Sequence, residues 1–171
     1  SQAGAFGWIV ADRRPALVKA LIAVEPNGPP VHDNAALGAP DWFSDQGRTK
    51  ISGLCDVQLT WDPPLRDGEA LAFQKEDGPT KPDCSTCWRQ AEPARKLANI
   101  AKVPVFMITG EASYHAPYDH CTTSFLRQAG VSVEHVYLAD RGVTGNGHML
   151  MMEKNSDESA AVVAQWIEAR G

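Results

Sequence analysis

Residues 1–26 read SQAGAFGWIVADRRPALVKALIAVEP, and the fold turns on this stretch. Residues 3–12 are small and apolar, as in a helix buried over most of its surface, and Arg13-Arg14-Pro15 punctuates its end. The run ALIAV (Ala20–Val24) is short, apolar and closed by Glu25-Pro26. A run of that kind predicts a strand buried on both faces of a parallel sheet. Ser1 stands just before the helix and Glu25 just after the strand.

The same grammar returns after residue 100. VPVFMITG (103–110) predicts a second buried strand ending in Gly. A helix is expected from about Pro117 to Ala129, with Phe125 and Leu126 inward and Gly130 just past its end. VSVEHVYLAD (131–140) predicts a strand, and the Gly-rich loop GVTGNGH delivers His148. A last helix is expected near Ser156 as N-cap, with Glu158 in its first turn and Ala160, Val163, Ala164 and Ile167 on one face. Alternating buried strands and helices predict an α/β fold with a mostly parallel sheet.

Residues 26–100 differ. Most prolines lie there and the patterning is weak. ISGLCDVQLTW (51–61) has some strand character, and CWRQAEPARKLANIAK (87–102) predicts a helix from about Ala91. The 171 residues therefore read as one domain with 26–100 as a cap or excursion.

Composition narrows the function. The formal net charge is −5 and Lys and Arg are scattered, which argues against a nucleic-acid surface. No stretch approaches the roughly 18 apolar residues of a membrane span. Cys55, Cys84, Cys87 and Cys121 allow two disulfides in three pairings. Structural disulfides in the excursion are expected, with free thiols as the alternative. Disulfides would place the protein in an oxidising compartment or outside the cell. The Cys84–Cys87 spacing also suits a redox pair, but its flanks are Pro-rich rather than strand-to-helix.

Ser1, Glu25 and His148 carry the chemistry. Each is expected at the carboxyl edge of the sheet, where sites of α/β proteins assemble, and the order nucleophile, acid, base recurs in one hydrolytic fold. Small residues follow Ser1, and the Gln2 backbone N–H is placed to serve an oxyanion. Read blandly, Ser1 is an N-cap, Glu25 a solvated strand-end carboxylate and His148 a loop histidine. Glu111 and Asp140 are rival acids. His115, Asp119 and His120 have metal-ligand spacing, but they open a helix, and neither a metal nor an organic cofactor is expected. Trp8, Trp88 and Trp166 read as packing, whereas Trp42 and Trp61 are candidates to line an acyl pocket.

Five stretches sharpen this reading: SQAGAFGW, AVEP, QAEPARKL, PVFMITGEASYHAPYDHCTTSFLRQAG and GNGHMLMMEKNSDESAAVVAQWI. Together they resemble the α/β-hydrolase esterases with an S-Q-[small]-G nucleophile elbow and a triad Glu at the end of the following strand. They make up less than half of the chain. The resemblance implies Ser1 as nucleophile, Glu25 as orienting acid and His148 as base, acting on a small-molecule ester or acyl compound. Many such hydrolases place an acid where this chain has Ser113, which favours Glu25 instead. Acyl transfer, cyclisation or non-catalytic binding on the same scaffold are the alternatives. The chain resembles the C-terminal half of such an enzyme. A separate N-terminal fragment of the same precursor, released by autocatalytic or other cleavage just before Ser1, is expected to complete the sheet as a heterodimer.

Overall fold

The structure, a computed structural model, describes residues 3–27, 54, 57–79 and 82–171. Along the chain these form helix α1 (Ala3–Arg13) and strands β1 (Leu21–Val24), β2 (Phe73–Lys75), β3 (Trp88–Gln90) and β4 (Val105–Thr109). Helix α2 (Asp119–Gln128), strand β5 (Val133–Tyr137) and helix α3 (Ser156–Glu168) follow. Strands β1, β4 and β5 make a parallel sheet in the order β1-β4-β5, so the fold is α/β. Leu21 pairs with Val105, which pairs with Val133. Strands β2 and β3 form a separate antiparallel pair within the excursion.

Every residue of β4 is buried, because the central strand is covered on both faces. Val105 and Met107 join Trp8 and Ala11 of α1 and Phe125 and Leu126 of α2 in one core. Phe106 and Ile108 point the other way, into a core closed by Leu150 and by Trp166 of α3. The Trp166 ring stacks on Phe106 at 4.8 Å, and its Nε1–H donates to Glu134 at 2.8 Å. Among the described strands β1 lies at the edge of the sheet, and Leu21, Ile22 and Val24 are only partly buried.

Three expectations are corrected. Residues 91–99 contain no helix, and only a 3-10 turn at Ile100–Lys102 follows. Pro93 removes a backbone donor and restrains Glu92 before it. The chain instead forms β3, whose Gln90 exchanges two hydrogen bonds with the Gln128 side chain of α2. Residues 57–61 form no strand. The Thr60 N–H is taken by the buried Asp12 carboxylate of α1, which also accepts the Thr60 hydroxyl at 2.9 Å. On α3, Ser159, Val162, Val163 and Trp166 face inward, while Ala160, Ala164 and Ile167 are exposed. The anchored Trp166 sets that rotation, and the N-cap is Asn155 rather than Ser156.

A disulfide joins Cys87 to Cys121. It ties the excursion to α2 rather than bridging the excursion internally. Cys84 is free, and Cys55 lies outside the described residues.

Candidate active site

The sheet ends where β1 runs into Glu25. Its backbone N–H continues the ladder to the Ile108 carbonyl at 3.1 Å, and φ is then +42°, the left-handed region that non-glycine residues seldom occupy. This turn sends the Glu25 side chain into the protein, where it is fully buried. Oε1 accepts the Gly110 N–H at 2.7 Å, and Oε2 accepts the Ser113 hydroxyl at 2.8 Å. The same Oε2 lies 2.5 Å from His148 Nδ1. Burial pushes the Glu25 carboxyl up to about 8, while the Gly110 and Ser113 hydrogen bonds pull it down.

His148 arrives on the loop from Gly142 to Met149. Gly142 and Gly145 have φ of +77° and +76°, so the loop turns where side chains are disfavoured. It is pinned at several points. The Gly145 N–H donates to Glu111, the Gly147 N–H to Glu153, and the Asn146 amide to Asn155. The loop also presses on Gly110, where an added Cβ would meet the Asn146 carbonyl at 2.5 Å. Burial, then the neighbouring His115, pushes the His148 imidazole down to about 4. Between them, Glu25 and His148 hold one shared proton near neutrality.

A second carboxylate–imidazole pair lies behind the first. His115 Nδ1 is 2.9 Å from Asp119 Oδ1, and both residues are fully buried. Asp119 Oδ2 accepts the Thr109 hydroxyl at 2.6 Å, and that hydroxyl contacts His135 Nε2 at 2.9 Å. Burial raises the Asp119 carboxyl and lowers His115 to about 3, so His115 is neutral. Its ring is parallel to His148, with centroids 4.7 Å apart and planes within 6°.

The residues singled out in the sequence fall as follows. Ser1, Gln2 and Trp42 lie outside the described residues. The first turn of α1 abuts the site: a Cβ on Gly4 would meet Pro26, next to Glu25, at 2.7 Å. Glu111 serves the loop through Gly145. Trp61 is buried against Phe125 and lines a groove of about 680 Å³ with Val57, Leu65, Leu71 and Phe73. None of Glu25, His115 or His148 lines that groove. Ser113, Gly110, His115 and Asp119 were missed as supports of the site. The signal was the compact segment GEASYHAPYD, dense in polar groups directly after a buried strand.

Metal binding fits this arrangement poorly. His120 is separated from the His115–Asp119 pair and contacts the Ser85 carbonyl and Cys121. Glu25, His115 and His148 present ligand atoms within 4.8 Å of one another. The two rings lie in parallel planes, however, so their in-plane lone pairs do not converge on one ion. With Cys87 and Cys121 joined as a disulfide, their cluster with His120 lacks thiolate ligands.

The chain is similar to the probable secreted lipase phiG of Fungal sp. (strain ATCC 74256), at 38% identity over 172 residues. The match takes in 98% of this chain and 44% of the relative, so the chain spans less than half the length of the curated relative. No protein-family profile matches the chain, and no solved structure matches it.

Proposed function

We propose that the chain carries the catalytic residues of a serine hydrolase of the α/β-hydrolase fold that cleaves carboxylic esters. The observation that carries this reading is the 2.5 Å contact between His148 Nδ1 and the fully buried Glu25, at the carboxyl edge of a parallel sheet. In the reacting form Glu25 is ionised and accepts the Nδ1–H, which leaves the Nε2 lone pair to act as base. Ser1 Oγ attacks the ester carbonyl as its proton passes to Nε2. The Gln2 N–H binds the oxyanion, and Nε2 returns the proton to the departing alkoxide. Water then adds to the acyl-enzyme by the same transfers, releasing the acid and restoring Ser1. The lipase name of the relative supports a lipid-like ester as substrate and, with the Cys87–Cys121 disulfide, an extracellular setting.

Connectivity supports Ser1 as the nucleophile: it lies two residues before Ala3, within about 7 Å along the chain. The test is a fluorophosphonate probe on the whole protein. Labelling at Ser1 with loss of esterase activity is expected, and full turnover by Ser1→Ala overturns the reading. An added amine or alcohol acceptor separates hydrolysis from acyl transfer by its product.

The β1 edge is read as the seat of further sheet contributed by a partner segment, as the notably longer relative leaves room for. Two features support this. Phe6, Val10 and Leu17 are exposed on the α1 side, and on the other side Val24, Ile108, Leu150 and Val163 line an apolar groove of about 420 Å³.

A further inference from the structure

A base carried on a glycine-rich loop needs more than one point of attachment. The hydrogen bond to Glu25 fixes where His148 Nδ1 sits, but it leaves the ring free to rotate about that contact. The plane of the ring decides where Nε2 points, and the nucleophile must meet Nε2 within about 3 Å.

The geometry points to His115 as the positioning residue that sets that plane: an imidazole clamped by Asp119, against which the His148 ring is stacked. This inference rests on the serine-hydrolase reading above. Its elements are all on the carboxyl side of β4. The clamp runs from Thr109, the last residue of β4, through Asp119 Oδ2 and Oδ1 to His115 Nδ1, at 2.6 and 2.9 Å. The stack on His148 is flat, and Tyr114 packs against both rings at 4.7 Å. The His115 backbone N–H donates to Ser113 Oγ at 3.1 Å, and Ser113 Oγ donates to Glu25. One short segment thus orients both the acid and the base.

The titratable groups around His115 are Asp119, His148, Glu25, Tyr114 and Tyr118. What His115 offers His148 is a flat ring face held in place from behind by the Asp119 hydrogen bond. An aliphatic side chain would fill the space but would offer the His148 ring no flat face to stack on.

The test compares two variants of the whole protein that both fill the volume. His115→Phe keeps an aromatic face, and His115→Gln keeps a polar partner for Asp119 but loses the face. Kinetics on a p-nitrophenyl ester are read with the downfield NMR signal of the Glu25–His148 proton. We expect His115→Phe to retain kcat within about threefold. His115→Gln is expected to lose about a hundredfold in kcat at unchanged KM, the scale of a misplaced catalytic group. The downfield proton is expected to persist in the Phe variant and to broaden in the Gln variant. A Gln variant as active as the Phe variant, or a loss confined to KM, overturns the inference. If the unmodified protein has no esterase activity, the serine-hydrolase reading fails. The NMR contrast between Phe and Gln then still decides the positioning role.

Discussion

At the scale of single residues, the site is a competition between burial and hydrogen bonding. Glu25 has no solvent, so each donor to it counts. Glu25→Gln preserves shape but no longer stabilises the imidazolium or the required tautomer. A fall in kcat of about 10³–10⁴-fold with little change in KM is expected from steady-state kinetics. Ser113→Ala is subtler. It removes one donor to Oε2, so the carboxylate becomes harder to form. The acid limb of kcat/KM, set by loss of the shared proton, is then expected to move to higher pH by about one unit. A pH–rate profile reads this directly, and an unmoved limb argues that Ser113 does not tune Glu25.

At the scale of elements, close approach does the positioning. Gly110 ends the central strand against the Asn146 carbonyl, so Gly110→Ala must push the His148 loop outward. A fall in kcat of about tenfold to a hundredfold is expected, and a crystal structure of the variant would show the loop displaced. The Cys87–Cys121 disulfide closes a separation of 34 residues and ties β3 to α2. Paired Cys87→Ser and Cys121→Ser changes are expected to cost about 2–4 kcal/mol, read calorimetrically as a Tm lower by about 5–15 °C.

The elements also show what the sequence disclosed. Strands β1 and β4 were legible as short apolar runs ended by Glu25 and by Gly110, and β5 as the run VSVEHVYLAD between a helix and a Gly-rich loop. Helix α2 was legible from Phe125, Leu126 and the closing Gly130. The nearness of Glu25 and His148 followed from strand ends lying side by side. Less visible was anything decided by partners distant in sequence. The rotation of α3 depends on Trp166 reaching Glu134, and the extended path after Trp88 depends on Gln128. Ser113 read as a missing acid, whereas its hydroxyl donates to the Glu25 carboxylate. His115 and Asp119 read as possible metal ligands because an i,i+4 spacing does not reveal that one clamps the other.

For the molecule as a whole, buried ionisable groups make stability depend on pH. His115 drops from an ordinary 6.5 to about 3 on folding. Its contribution is therefore full above pH 6.5 and is lost as pH falls toward 3, because the unfolded chain binds the proton more tightly. Glu25 has the opposite sign. Its carboxyl rises from 4.5 to about 8, so its contribution is present below pH 4.5 and is lost as pH rises toward 8. Melting curves across pH should separate the two. His115→Phe is expected to flatten the acid-side loss between pH 6.5 and 3, and Glu25→Gln the decline between 4.5 and 8. Unchanged slopes in both variants would remove these two groups from the pH response.

The backbone at Glu25 sets function and robustness against each other. A glutamate held at φ +42° costs about 1–3 kcal/mol that glycine or asparagine at the same place would largely avoid. Directed evolution for heat resistance alone would therefore be drawn toward relaxing position 25, and each such gain would discard the carboxylate. Thermostabilisation campaigns on this protein need an activity screen from the first round, or position 25 withheld from the library.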